Sequence, residues 1–359
     1  MVLNLNPLFL FLSGGHLMEK KIVLFIALIL VLFLFGCTEQ KQNETGKKEL
    51  TIYTYDSMIS EYGLMPKIIP KFEEQCNCKV NLISKGDSGQ VLTTLVLEKE
   101  NPKADVVIGI DNSLIHNAIE NNVLEKFTPK NIDKIKKGIE FNEKGFLTPF
   151  DFGFIAFVFD SQKVEIELNN FNSLLDSSLR KKIVIENPRT SSPGLALLLW
   201  TIKVYGDPGY KDYWKKLKPN ILVVTDGWDE AAGLFKAGEA PIYLSYATSP
   251  PYYAEFEEIN YFLAAEFEEG HYIQIEGIGI VKGTKNRELA EQFIEFMLTE
   301  EAQKEIPFTQ FMFPVNEKVE LPKAFDYALI PSKNLEVDPK LVEEKQEEWI
   351  SEWEKIMSS

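Results

Sequence analysis

The sequence predicts an α/β protein of two lobes with a ligand cleft between them. Three observations carry that expectation: short apolar runs alternate with segments of helical spacing, two much longer extended runs interrupt the alternation, and the folded part is long for a single core. Leu50–Tyr55 (LTIYTY) alternates as a strand does, and Pro66–Glu74 spaces Ile68, Ile69 and Phe72 as one helical face. Val80–Ile83 is again strand-like. Gln90–Glu98 places Val91, Leu92, Leu95 and Val96 on one face, Ala104–Ile110 is a continuous apolar strand, and Ser113–Glu120 reads as helix. This βαβαβ run predicts a parallel sheet with helices on both faces.

The first long extended run is Pro149–Asp160 (PFDFGFIAFVFD). The alternation resumes with strand Ile183–Ile185, helices Gly194–Val204 and Tyr210–Leu217, strand Ile221–Val224, helix Trp228–Ala237 and strand Ile242–Tyr246. The second long run is Gly270–Lys282 (GHYIQIEGIGIVK), followed by helices Glu288–Leu298 and Glu300–Ile306. Two such runs describe a chain that crosses between lobes twice, with hinges expected near Asp151–Phe154 and Gln274–Gly277. Lobe 1 is then 49–150 plus 276–320 and lobe 2 is 151–275. The tail 321–359 forms a strap whose helix, Leu341–Met357, spaces Leu341, Trp349, Ile350 and Trp353 for packing.

The ends of the chain indicate export. Lys20 and Lys21 precede an uncharged apolar run, Ile22–Phe35, too short for a comfortable membrane span and suited to a signal core. It ends at Leu34-Phe35-Gly36-Cys37, which resembles a lipoprotein signal box and implies cleavage before Cys37 with lipid on its sulfur. Residues 1–36 are thus a signal segment, with Met18 the expected start, and 37–48 a polar tether. An uncleaved anchor helix is the competing reading. Asn43-Glu44-Thr45 is a glycosylation sequon. Of 359 residues, 38 are basic and 54 acidic, a net charge of −16 that repels nucleic acid and anionic lipid and mildly favours a cationic ligand. Cys76-Asn77-Cys78 is left open between a disulfide and a buried thiol pair. Three histidines and three cysteines make a Cys/His metal cluster improbable.

Ligands of open α/β sheets sit beyond the carboxyl ends of strands, here the inter-lobe cleft. The densest candidate is Tyr246-Ala247-Thr248-Ser249-Pro250-Pro251-Tyr252-Tyr253, read as hydroxyls and then rings in a loop after a strand. Aromatic faces hold a flat or cationic ligand and hydroxyls its polar end; a Pro-containing turn over a packed tyrosine pair is the alternative. Tyr55-Asp56-Ser57 follows the first strand, with Tyr62 beyond. Asp87-Ser88-Gly89 and Thr190-Ser191-Ser192-Pro193-Gly194 leave helix N-termini open to polar or anionic groups, or simply cap them. Asp226-Gly227-Trp228 sets an indole at a helix start, Glu276 lies in the second crossing run, and Phe311 follows Thr309-Gln310.

The segments YTYDS, CNC, ADVVIGIDN, PFDFGFIAFVFD, NPRTSSPGLALLLW, VYGD, GLFKAGE, LSYATSP, EGHYIQIE and WISEWEK, in that order from Leu50 to the C-terminus, resemble the thiamine-binding proteins of bacterial thiamine ABC transporters. The resemblance implies a type II periplasmic binding-protein fold that closes on thiamine or its phosphates, with no cofactor, no catalysis and no metal. Its partners would be the transporter permease and ATPase, and the chain would be a monomer anchored by lipid outside the cell membrane. The family's ligand contacts fall on Asp87, Ser88, Ser191, Ser192, Trp228, Tyr246, Ala247, Thr248 and Ser249, with Tyr55, Tyr62, Tyr252 and Phe311 at further pocket positions. Tyr62 and Phe311 stand where the family commonly has Trp, and Ala247 replaces a hydroxyl residue, so that contact would be through backbone. Two rival readings remain. Tyr252-Tyr253 is a pair of the kind that holds ferric iron in related proteins. Ser245 or Ser249 with His271 is a hydrolase pairing, though without a G-x-S-x-G elbow.

Overall fold

The computed structural model describes residues 47–141 and 145–359; the signal segment, Cys37, Asn43 and nearly all of the tether lie outside the described residues. The chain runs β1 (Lys48–Thr54), α1 (Asp56–Ile59), α2 (Leu64–Cys76), β2 (Cys78–Ser84), α3 (Ser88–Glu98), β3 (Val106–Asp111), α4 (Ile115–Glu120), β4 (Leu124–Glu125) and the long β5 (Thr148–Asp160). It continues through β6 (Ile183–Glu186), α5 (Ser192–Tyr205), α6 (Gly209–Leu217), β7 (Ile221–Thr225), α7 (Trp228–Lys236), β8 (Ile242–Tyr246), α8 (Pro250–Phe256) and β9 (Phe262–Ala264). The second long strand, β10 (His271–Val281), leads to α9 (Arg287–Met297), α10 (Glu300–Gln303), α11 (Ile306–Thr309), β11 (Phe313–Pro314), β12 (Asn334–Leu335) and α12 (Pro339–Ser358).

The strand order is β2-β1-β3-β10-β5-β8-β6-β7. β1 pairs parallel with β2 and β3, and β6 pairs parallel with β7 and β8. The expected parallel sheet is therefore two parallel arrays inside a mixed one, because β10 and β5 pair antiparallel with each other and with the arrays beside them. Thr148–Phe154 of β5 pairs with β10, while Ile155–Phe159 pairs with β8 of the second array. One strand thus serves both lobes. Nearly every residue of β5 and β10 is buried, which is why both read as unbroken apolar runs rather than alternating ones.

Chain from both sides of the crossings shares one core. Phe72 of α2 packs edge-on against Phe293 of α9 at 4.9 Å, within a cluster that joins Ile52 and Ile68 to Ile278 and Met297. Burying a ring such as Phe72 stabilises by roughly 1.5–3 kcal/mol. On the other side, α12 lies against α6 and α4. Its Trp349 donates Nε1–H to Asp207 Oδ2 at 3.1 Å, and Trp353 meets Trp214 edge-on at 5.6 Å. The strap tryptophans are core.

Cys76 and Cys78 form a disulfide at the end of α2, settling the open reading. Local expectations shift at three places. The expected helix Glu300–Ile306 is two short helices, since Pro307 has no N–H to continue the ladder. The expected loop after β8 is α8, because prolines are tolerated in a first helical turn, where the N–H is unpaired in any case. Lys48, expected in the tether, opens β1.

Candidate functional site

A cavity of about 580 Å³ opens where the carboxyl ends of β1, β7 and β8 meet the crossing strands. Its size is ordinary for a small-molecule site. Tyr55, Tyr62, Asp87, Ser88, Ser192, Trp228, Tyr246, Ser249, Tyr252 and Phe311 all line it, joined by Asp56 and Glu276. Ser191, Ala247 and Thr248 do not. Ser191 and Thr248 are buried, and the Ala247 N–H donates to Phe154 O at 2.8 Å while its carbonyl accepts from Leu329 N at 2.9 Å. The backbone of Ala247, expected as a contact, is already used inside the fold.

Asp87 organises the centre. It N-caps α3, its Oδ1 accepting from Ser88 N at 2.5 Å and its own N–H donating to Gln90 Oε1 at 2.9 Å, a capping box. Its Oδ2 accepts from Trp228 N at 3.0 Å, so the same carboxylate also serves the first residue of α7. Gly227, the α7 N-cap, packs closely on this carboxylate: a Cβ there would stand 3.1 Å from Asp87 Oδ2, so a larger residue would press on the Asp87 side chain. Burial raises the Asp87 pKa, opposed by these backbone donors.

The rings are held from behind. Trp228 donates Nε1–H to Ser245 Oγ at 2.9 Å, and Ser245 shares a 2.7 Å bond with Ser249 Oγ. The Tyr246 hydroxyl accepts from Gln274 Nε2 at 3.1 Å, and Gln274 also reaches Ser192 Oγ at 3.3 Å. Tyr55 donates to Glu276 Oε2 at 2.6 Å. Its ring lies where a Cβ on Gly109 would come within 2.4 Å, and Gly109 has φ +98°. Tyr252 accepts from Lys236 Nζ at 3.0 Å and meets Phe311 edge-on at 5.4 Å. Tyr62, half exposed, stands at the rim.

The electrostatics are one-sided. Asp56, Asp87, Asp226, Asp229, Glu230 and Glu276 border the cavity, against Lys236, which pairs with Glu257 at 2.6 Å. Burial, then the charges of Asp56 and Asp87, lift Asp229 to about 6. Burial foremost lifts Glu276 to about 8, and Asp111 just behind it to about 7. Glu186 and Asp151, fully buried, are pushed well up as well. Sequence reasoning picked out Asp56, Asp87, Asp226 and Glu276 but missed Asp229, Asp111 and Glu186, and with them the layer of acids behind the cavity. The signal was present: Asp111 and Glu186 each close an apolar strand run, at the carboxyl end where ligands gather. An array of aromatic faces above carboxyl groups suits a flat, positively charged molecule.

The rival pairings do not assemble. Tyr252 and Tyr253 both line the cavity, but the Tyr253 hydroxyl is buried and already bonded to the Tyr243 hydroxyl at 2.8 Å, and the Tyr252 hydroxyl is taken by Lys236, so the tyrosine pair is less suited to a metal than the rings and carboxyls are to an organic cation. Both ring nitrogens of His271 are engaged by backbone, Nδ1 with Ile155 O at 2.8 Å and Nε2 accepting from Phe267 N at 2.9 Å, which leaves no base for Ser245 or Ser249.

The family described as bacterial extracellular solute-binding protein matches residues 101–356. A thiamine-binding periplasmic protein of Salmonella typhimurium is 39% identical over 313 residues, covering 87% of this chain and 94% of that one. One from Brucella melitensis is 39% identical over 328 residues, covering 90% and 97%. This chain belongs to the family of the thiamine-binding periplasmic proteins. A solved structure titled periplasmic thiamin binding protein superposes on this solute-binding protein with a TM-score of 0.83, at 38% identity, covering 87% of this chain and 97% of that one. The type II fold, with two lobes, a cleft and two crossing strands, follows for this solute-binding protein from that match and from its own sheet topology.

Proposed function

We propose that this protein captures thiamine in the inter-lobe cleft and delivers it to an ABC importer outside the cytoplasm. The observation that carries the reading is a cavity walled by Tyr55, Trp228, Tyr246 and Tyr252 over carboxyl groups with one basic neighbour, Lys236, already paired. A flat aminopyrimidine and a permanently cationic thiazolium ask for such walls and such charge. The sequence kinship to thiamine-binding periplasmic proteins supports the same ligand. The hydroxyethyl arm, bare or phosphorylated, is assigned to the Ser88 and Ser192 side, where the helices α3 and α5 begin. The protein acts by binding and release, without catalysis, cofactor or metal, as a monomer. Cys37 carries the lipid that holds it at the outer face of the membrane.

Calorimetry with thiamine, its monophosphate and its diphosphate tests the ligand; thiamine binding weaker than micromolar would reject it. A colourless protein after exposure to ferric iron is expected, whereas a visible phenolate band would favour the iron reading. Intact mass should show lipid on Cys37 and residues 1–36 removed.

A further inference from the structure

Beneath the aromatic walls lies a set of carboxyl groups with no cation beside them among the described residues. Glu276, on β10 where the two parallel arrays are joined, accepts from Tyr55 at 2.6 Å and from Gln274 Nε2 at 3.2 Å. Asp151 stands opposite it in register on β5, and neither of its oxygens has a hydrogen-bond partner. Asp87 faces it from the start of α3, Asp111 from the end of β3, and the Tyr246 hydroxyl from the end of β8. Among the described residues none of these carboxyls forms an ion pair with Lys, Arg or His; Lys236 is held by Glu257. Carboxylates removed from water and from counter-ions disfavour one another's charge, so protons take the place of counter-ions.

Of these four acids, two border the cavity, Asp87 and Glu276. The Asp87 charge is already met by the N–H groups of Ser88 and Trp228 at two helix starts. Glu276 has only the neutral donors Tyr55 and Gln274. It is therefore the group with a charge still to be balanced and a face toward the ligand.

We propose that Glu276 is the counter-ion for the cationic part of the ligand and gives up its proton when that charge arrives. The inference rests on the thiamine reading. The carboxyl O–H breaks, its proton passes to solvent, and the ligand's positive charge stands in its place, so charge is conserved within the cavity. Burial and the neighbouring Asp111 and Asp87 keep Glu276 protonated up to about pH 8 without ligand. Affinity for a permanent cation should thus rise with pH toward 8 and flatten above it.

The test is calorimetry of the wild-type protein with thiamine at pH 7, in phosphate and in Tris, whose ionisation heats differ. Release of about one proton per ligand is expected, with affinity climbing by up to about tenfold per pH unit between 6 and 8. An uncharged isostere, with carbon replacing the thiazolium nitrogen, should release none. Glu276→Gln should bind thiamine at least about tenfold more weakly, with heats independent of buffer and a flat pH profile. Wild-type heats that do not depend on buffer would overturn the proposal, as would proton release that survives Glu276→Gln. If wild-type protein binds no thiamine at all, the functional reading itself fails and this inference with it.

Discussion

The carboxylate of Asp87 accepts from the backbone N–H of Trp228 at 3.0 Å, so a residue that caps a helix of one lobe also caps a helix of the other. The two elements are 141 residues apart in sequence. That single acid ties the cleft together at its centre. Asp87→Ala should lower unfolding stability by about 0.5–2 kcal/mol through the lost cap. Asp87→Asn should restore most of that stability, since Asn caps as well as Asp. It should still weaken ligand binding, because Asn has one acceptor oxygen where Asp87 uses two, one for the Ser88 N–H and one for the Trp228 N–H. Chemical denaturation and calorimetry on both variants separate the two effects; equal binding by wild type and Asp87→Asn would count against the inter-lobe role.

Trp228 is only partly buried, and its indole is fixed by Ser245. Trp228→Ala should weaken thiamine binding by roughly 1–3 kcal/mol, about tenfold to a hundredfold in dissociation constant, through lost stacking and cation–π attraction. The melting temperature should change little. A variant that binds normally but melts far lower would assign the indole to packing.

The strap makes the opposite prediction. Trp353 is buried against Trp214, far from the cavity walls in role. Trp353→Ala should cost about 3–5 kcal/mol of stability and leave the affinity of the folded protein unchanged. Denaturant titration and calorimetry below the transition decide it.

Asp111 is buried with its pKa raised from 3.8 to about 7, by burial above all. In the unfolded chain the group loses its proton near pH 4, while the folded protein keeps it until near 7. The folded state therefore binds more protons across that window, and stability falls as pH rises through it. Thermal melts of the unliganded protein should show a higher melting temperature at pH 5 than at pH 8. Asp111→Asn, which keeps the Oδ1 acceptor for the Ser113 and Leu114 N–H groups, should shrink the difference. An unaltered slope would exclude Asp111 as its source.

Much of this molecule was legible in one dimension. The apolar runs of β5 and β10 announce themselves by length, and Tyr55, Asp87, Trp228 and Tyr246, which line the cavity, stand out in the sequence by their place at element ends. Ala247 and Thr248 were not separable from their neighbours, because whether a residue after a strand faces the cavity or the core depends on the turn it enters. The start of α8 reads as a loop because a proline pair serves a loop and a first helical turn equally well.

The sequence by itself determined the periodicities, the two crossings and the chemical supply of rings, hydroxyls and acids. These are local properties, set by which side chains fit a pleat or a helical face. Only the tertiary structure decided which acids share a site. Glu276 and Asp151 meet because two strands pair in one register, and Asp87 reaches Trp228 because helices from different lobes begin at the same point. Charge burial depends on distance through space rather than along the chain, so the raised pKa values of this acid layer exist only once the sheet has closed over it.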